Sequence, residues 1–198
     1  MNNFVKRTIS GIGFAAIMLA AFLTNEYVYG VVMFLSLIIM MKEFLTMTCG
    51  NEYRYSQALS IFSGAVLFTL IYLYKAFHFP GRLVILAFVP VFLLMINSLS
   101  LKDKTRFDKF ANLYAVLIYI AVPWSLLNFA VFNAAGEFNG ILLLCFFCII
   151  WGTDVGAYLF GITLGQKYGK KLFPSISPKK SWIGFWGGLA TAVGVAIV

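Results

Sequence analysis

Asp154 stands in an otherwise apolar segment. The stretch that follows carries Lys167, Lys170, Lys171, Lys179 and Lys180 with no acidic residue among them. A carboxylate at membrane depth costs about 2.5–3.5 kcal/mol on insertion scales, so such a residue is by default a candidate for function. Two readings stand for Asp154. It is either a structural group bonded to a neighbouring helix, or a metal ligand or organiser of a phosphate site. Trp151, Asp154, Tyr158 and Gly161 share one helical face. Glycines 152/156 and 161/165 have the spacing that lets membrane helices approach closely, with close approach of a substrate to the backbone as the second reading.

The lysine loop has a local pattern of its own. Ser177-Pro178 reads as a helix N-cap followed by proline at the first helical position. Lys179 and Lys180 then fall in the first turn, where the helix dipole disfavours cations. That arrangement is unfavourable alone and favourable around a phosphate. Ser177, Lys179, Lys180, Lys170 and Lys171 are therefore the candidate phosphate ligands, with the Ser181 hydroxyl beside them.

The elements that must position these residues are membrane helices. The chain has 198 residues, 62% hydrophobic and only 11% charged. Soluble domains are about 25% charged, so the deficit and the recurrent apolar runs specify an integral membrane protein. Seven segments are expected, at residues 8–23, 27–41, 57–74, 83–101, 110–132, 140–164 and 182–198. Strand alternation is absent, which predicts an all-α, polytopic bundle in a single transmembrane domain. Residues 1–132 supply the N-terminal helices, and residues 140–198 begin the region that carries the chemistry. The first segment lacks a small-x-small cleavage site and reads as half of an uncleaved helical hairpin.

With the N-terminus in the cytoplasm, thirteen basic residues face inward and only Lys75 and Arg82 face outward. The net charge of +8 then follows topology and does not call for nucleic acid. Counting ~1.5 Å per residue from Gly140 puts Asp154 about 21 Å into its segment, in the cytosolic half of a ~30 Å core. Glu43 reads as interfacial, His78 as an interfacial anchor, and Asp103 and Asp108 as members of a solvated cluster with their basic neighbours. Cys49, Cys145 and Cys148 read as small buried hydrophobes, because one histidine gives a zinc site little support.

Asp154-x-Gly156-Ala157-Tyr158, Gly161, Gly165, Gly169-Lys170-Lys171-Leu172, Pro174, Ser177-Pro178-Lys179-Lys180-Ser181-Trp182, Gly184-Phe185 and Gly187-Gly188 together resemble the phosphatidate cytidylyltransferase (CDP-diacylglycerol synthase) family. The resemblance implies a Mg²⁺-dependent, homodimeric membrane nucleotidyltransferase of phospholipid biosynthesis. Its substrates would be CTP and phosphatidate, and its products CDP-diacylglycerol and pyrophosphate. It assigns Asp154, Lys180 and Ser181 to the catalytic set, with Asp154 a metal ligand. Separately, the charge distribution turns the site to the cytoplasm, and that orientation with no targeting signal favours a bacterial inner membrane. Three departures accompany the resemblance. Ile183 stands where the family has Glu or Gln, the loop before Ser177 is about one residue short, and the family's acidic C-terminal signature is not in this sequence. The expectation is therefore that these residues alone turn over little or no substrate. The competing readings are a CTP-dependent polyprenol or phytol kinase, which would release CDP, and a non-catalytic transporter or scaffold.

Overall fold

The computed structural model describes residues 3–99 and 107–197, with side chains from residue 11 onward and none at 107 and 108. The expected ion-pair cluster of Asp103 and Asp108, and the Lys6 and Arg7 side chains, lie outside the described residues. The chain divides into two compact units, residues 1–140 and 141–198.

The first unit is helical. Helix α1 spans Asn3–Leu23, α2 Glu26–Cys49 and α3 Arg54–Phe77. A 3₁₀ run, Gly81–Ala87, leads into α4, Phe88–Leu99. Helix α5, Phe107–Val116, passes through a π-helical turn at Leu117–Ala121 into α6, Val122–Leu126, and α7, Asn128–Val131. The π turn ends immediately before Val122-Pro123. Proline lacks an N–H and collides with the carbonyl one turn back, so the wider turn absorbs the defect without ending the helix.

Helix α2 runs eight residues beyond the expected Met41. Met33, Leu37, Met41, Leu45 and Cys49 are all buried at a spacing of four, so one buried stripe crosses Lys42 and Glu43 without interruption. Glu43 accordingly lies inside the helix and exposed, not after it. Asn25 caps the start of α2, its Oδ1 accepting from the Val28 N–H at 3.0 Å.

Several polar groups inside this unit are spent on packing. Asn97 donates to Ser56 Oγ at 2.7 Å, Ser60 donates to the Leu113 carbonyl at 2.7 Å, and Ser98 pairs with the Tyr114 hydroxyl at 2.6 Å. These bonds join α3 to α4, α3 to α5 and α4 to α5. Near the α2–α3 loop, Lys109 pairs with Glu52 at 2.8 Å. At the other end, Tyr29, Tyr72, Phe132 and Phe138 pack edge-on and tilted with ring centroids 5.4–6.0 Å apart. Gly30 makes room for the Tyr72 ring, whose hydroxyl donates to the Glu26 carbonyl at 2.8 Å. His78 is exposed and closes α3 in a left-handed conformation (φ 53°).

Helix α8, Ile141–Phe160, opens the second unit. A π-helical turn, Gly161–Gly165, and the short α9, Gln166–Tyr168, follow it. Strands β1, Lys171–Phe173, and β2, Ser177–Ser181, form an antiparallel hairpin, and α10, Trp182–Ile197, returns against α8. The molecule is therefore mostly helical but not all-α. Among the described residues five helical stretches are long and apolar enough to cross a membrane: Glu26–Cys49, Arg54–Phe77, Gly81–Leu99, Lys109–Val131 and Ile141–Tyr168. The first and last expected segments are represented by the shorter apolar helices Gly11–Leu23 and Trp182–Ile197.

Replacing Asn97 with leucine removes the donor to Ser56 and should lower the stability of the first unit by about 1 kcal/mol, the scale of interhelical hydrogen bonds in membranes. Thermal unfolding in detergent micelles, with Asn97→Leu showing a lower midpoint than the parent, checks this.

Candidate functional site

The second unit holds every residue of the expected site, and its geometry begins with glycine. A Cβ on Gly156 would fall on Thr191, with Thr191 Cβ 2.6 Å and the Gly187 carbonyl 3.1 Å away. One on Gly188 would meet Ala157 Cβ and the Thr153 carbonyl at 3.0 Å, and one on Gly184 the Ala157 carbonyl at 2.9 Å. One on Gly187 would strike the Phe160 ring. Helices α8 and α10 thus touch nearly backbone to backbone, as small residues permit in a membrane. Gly156 is committed to packing, and Gly152 faces Val195 and Thr191. Gly161 differs, since its nearest neighbour would be Gly184 Cα at 3.9 Å.

The same contact line continues past the helix end. Gly165 and Gly169 leave space for Ser181, which is 3% exposed. Ser181 Oγ accepts from the Gly184 N–H at 3.2 Å, the bond an N-cap makes to the third helical residue. This corrects the expected cap. Ser177 and Pro178 lie in β2, helix α10 opens at Trp182, and Lys179 and Lys180 precede the helix instead of filling its first turn. The reason is the hairpin ladder. Lys171 pairs with Ser181 and Phe173 with Ser177, so three residues of β2 oppose one of β1. Pro178, Lys179 and Lys180 occupy that bulge, where the missing proline N–H costs no ladder bond. The Trp182 N–H still donates to the Lys170 carbonyl at 3.0 Å, which extends the pairing to the first residue of α10.

Gln166 holds the bulge. Its Nε2 donates to the Lys179 carbonyl at 2.7 Å, and its Oε1 accepts from Lys171 Nζ at 2.8 Å. Gln166 was not among the residues singled out from the sequence; an amide side chain directly before Lys167, at the head of the lysine-bearing stretch, was the available signal. The hairpin gathers Lys170, Lys171, Lys179 and Lys180, all exposed, with Lys167 exposed on α9 just before it. Ser177 is half-buried on the same strand.

Asp154 is not part of that cluster. It is exposed on α8 and, among the described residues, makes no hydrogen bond or ion pair. Eleven residues separate it from Gly165, which abuts Ser181, so it lies about 16 Å along the helix from the hairpin base at ~1.5 Å per residue. It is also the sole carboxylate of residues 141–198. No group of three metal-ligating side chains occurs among the described residues. A magnesium ion needs about six oxygens, so these residues do not make a metal site by themselves. The cysteine reading holds for Cys49 alone: it is buried and donates to the Lys109 carbonyl at 3.3 Å, whereas Cys145 is exposed and Cys148 half-buried.

Comparison with known proteins gives a consistent answer. Residues 5–198 match the cytidylyltransferase family. A phosphatidate cytidylyltransferase of Rickettsia bellii is 37% identical over 54% of this chain and 44% of its own length. That of Rickettsia felis is 34% identical over 79% of this chain and 62% of its own. That of Bacillus subtilis is 32% identical over 57% of this chain and 40% of its own. The chain thus spans about half the length of the curated relatives it matches. No solved structure matches it significantly.

Two pairs of substitutions test the geometry. Gly156→Ala should cost about 1–3 kcal/mol by overpacking, while Gly161→Ala, whose Cβ would make only an ordinary contact with Gly184, should stay within about 0.5 kcal/mol of the parent. Ser181→Ala should cost about 1 kcal/mol as a lost N-cap, and Ser177→Ala should not. Equal effects within either pair, read from unfolding in micelles, would contradict the contacts described.

Proposed function

The chain belongs to the cytidylyltransferase family, and from that premise we propose that it acts in the transfer of a cytidylyl group from CTP to phosphatidate, giving CDP-diacylglycerol and pyrophosphate. The observation that carries the reading is the hairpin of exposed lysines, with no acidic partner, that follows the helix bearing Asp154. An oxygen of the phosphatidate phosphate would form a bond to the α-phosphorus of CTP. The bond from that phosphorus to the α–β bridging oxygen would break, and pyrophosphate would leave with the electron pair. Such transfers are accelerated by positioning and charge neutralisation more than by covalent help. Lys179 and Lys180, with Lys170 and Lys171, supply the cationic end. Ser181 is assigned a positioning role, since its hydroxyl oxygen is engaged in capping α10.

The separation of Asp154 from the lysines suits an extended ligand better than a single phosphate. Magnesium keeps most of its shell as water and phosphate oxygen. Asp154 would contribute one carboxylate oxygen to such an ion, and the remaining ligands are not among the residues described. The positive-inside distribution supports a cytoplasmic N-terminus, seven crossings and a lysine hairpin on the cytoplasmic side. The bacterial relatives support the cell membrane of a bacterium as the location. A homodimer, expected from the family resemblance, belongs to the same reading.

Membranes containing the chain should bind CTP labelled at the α-phosphate in a Mg²⁺-dependent manner. Lys180→Gln should weaken that binding on the order of 10–100-fold, the worth of a hydrogen bond to a charged group, and Asp154→Asn should remove the Mg²⁺ dependence. With phosphatidate present, any labelled lipid formed should be CDP-diacylglycerol. Unlabelled phospholipid with labelled CDP would identify a lipid kinase instead. CTP binding unchanged in both variants would overturn the site assignment.

A further inference from the structure

The hairpin has a second chemical character that phosphate binding does not use. Its turn runs from Phe173 to Ile176, whose N–H donates to the Phe173 carbonyl at 3.3 Å. Turn tips are ordinarily polar. Here Phe173 is 58% exposed, Ile176 84% and, just before β1, Tyr168 79%. Pro174 is exposed between them. Immediately behind this apolar tip stand the exposed lysines 170, 171, 179 and 180, and no acidic residue occurs anywhere after Asp154.

We infer that the hairpin is a lipid-docking element: Phe173, Pro174 and Ile176 enter the headgroup layer of the bilayer, and the lysines behind them pair with anionic headgroups. Covalent connection fixes the hairpin at that surface. It joins the end of the apolar stretch Ile141–Tyr168 to the start of apolar α10, which opens with Trp182, a residue type favoured at the membrane boundary. An apolar tip backed by lysines is the pattern of peripheral segments that lie in an anionic interface. A soluble nucleotide accounts for the lysines and leaves the exposed Phe173 and Ile176 in water. An anionic bilayer accounts for both. Gln166 bonds both strands of the hairpin, at the Lys171 ammonium and the Lys179 carbonyl, behind the tip. This inference stands whether or not the chain transfers a cytidylyl group.

The experiment places a reporter on the tip. Cys49, Cys145 and Cys148 are replaced by alanine, and a polarity-sensitive fluorophore is attached at Ile176→Cys, with Ser175→Cys as a second position in case the first perturbs folding. The labelled chain is reconstituted in nanodiscs of phosphatidylcholine, alone or with phosphatidylglycerol. Docking predicts emission shifted to the blue in the anionic discs relative to the neutral ones, quenching by lipids spin-labelled near the headgroup, and reversal of the anionic increment by molar salt. Water-like emission without quenching in both discs at both positions would overturn the proposal. So would an equal shift in both discs, because the lysines would then have no part in it.

Discussion

Everything in the second unit depends on how closely α8 can approach α10. Between two helices in lipid there is no hydrophobic driving force, because the surrounding chains are as apolar as leucine. What remains is dispersion at short range, which requires that nothing stand between the backbones. Gly156, Ala157, Gly184, Gly187 and Gly188 meet that requirement, and Thr191 fills the space that Gly156 leaves. The close contact also fixes the axial register of the pair. Register in turn delivers Ser181 to the space above Gly165 and Gly169, which lets its hydroxyl oxygen cap α10. The cap sets where the helix starts, and therefore where the hairpin must end. The lysines are presented by the last link of a sequence that begins with missing side chains.

Much of this was legible in the sequence because lipid imposes length. An apolar stretch either crosses the core or does not, and the places of the helical stretches follow from that. Their ends do not. Helix α2 continues past Lys42 because its buried stripe at 33, 37, 41, 45 and 49 packs against protein, whereas hydropathy reports only contact with lipid. The hairpin is the opposite case. Ser177–Ser181 contains a proline and two lysines and has no alternation, so nothing local specifies a strand. It becomes one through pairing with Lys171–Phe173 and the clamp from Gln166, both supplied from elsewhere in the chain. Two serines each stood before residues able to start a helix. The choice fell to Ser181 because the glycine contacts hold it in place, a tertiary fact that no capping rule contains.

The polar residues of the first unit show what a structural role looks like in this protein. Ser56, Ser60, Asn97, Ser98 and Tyr114 each find a partner on a neighbouring helix or its own turn. Burial of a polar group is costly unless it is paired, and these groups are paired. Asp154 is a different case, exposed on its helix. It sits in the longest apolar stretch of the second unit with no partner among the described residues, while the neighbouring threonine, Thr153, satisfies itself on the Ile149 carbonyl. On the proposed function, a carboxylate whose position packing does not explain would have its compensation in a bound ligand.

The distribution of charge along α8 and the hairpin gives that compensation a direction. A single carboxylate about 16 Å from a cluster of cations cannot neutralise them, because exposed charges separated by more than a Debye length of roughly 8–10 Å are largely screened from one another. Both ends are therefore electrostatically incomplete alone: the lysines lack an anion and Asp154 lacks a cation. On the proposed function, a triphosphate accompanied by a divalent ion would carry both complements in one ligand. Each end taken singly admits commonplace roles, a surface patch or a solvated acid. Held on one pair of helices by the glycine contact, they would on the proposed reading suit a ligand that is anionic at one end and metal-bearing at the other.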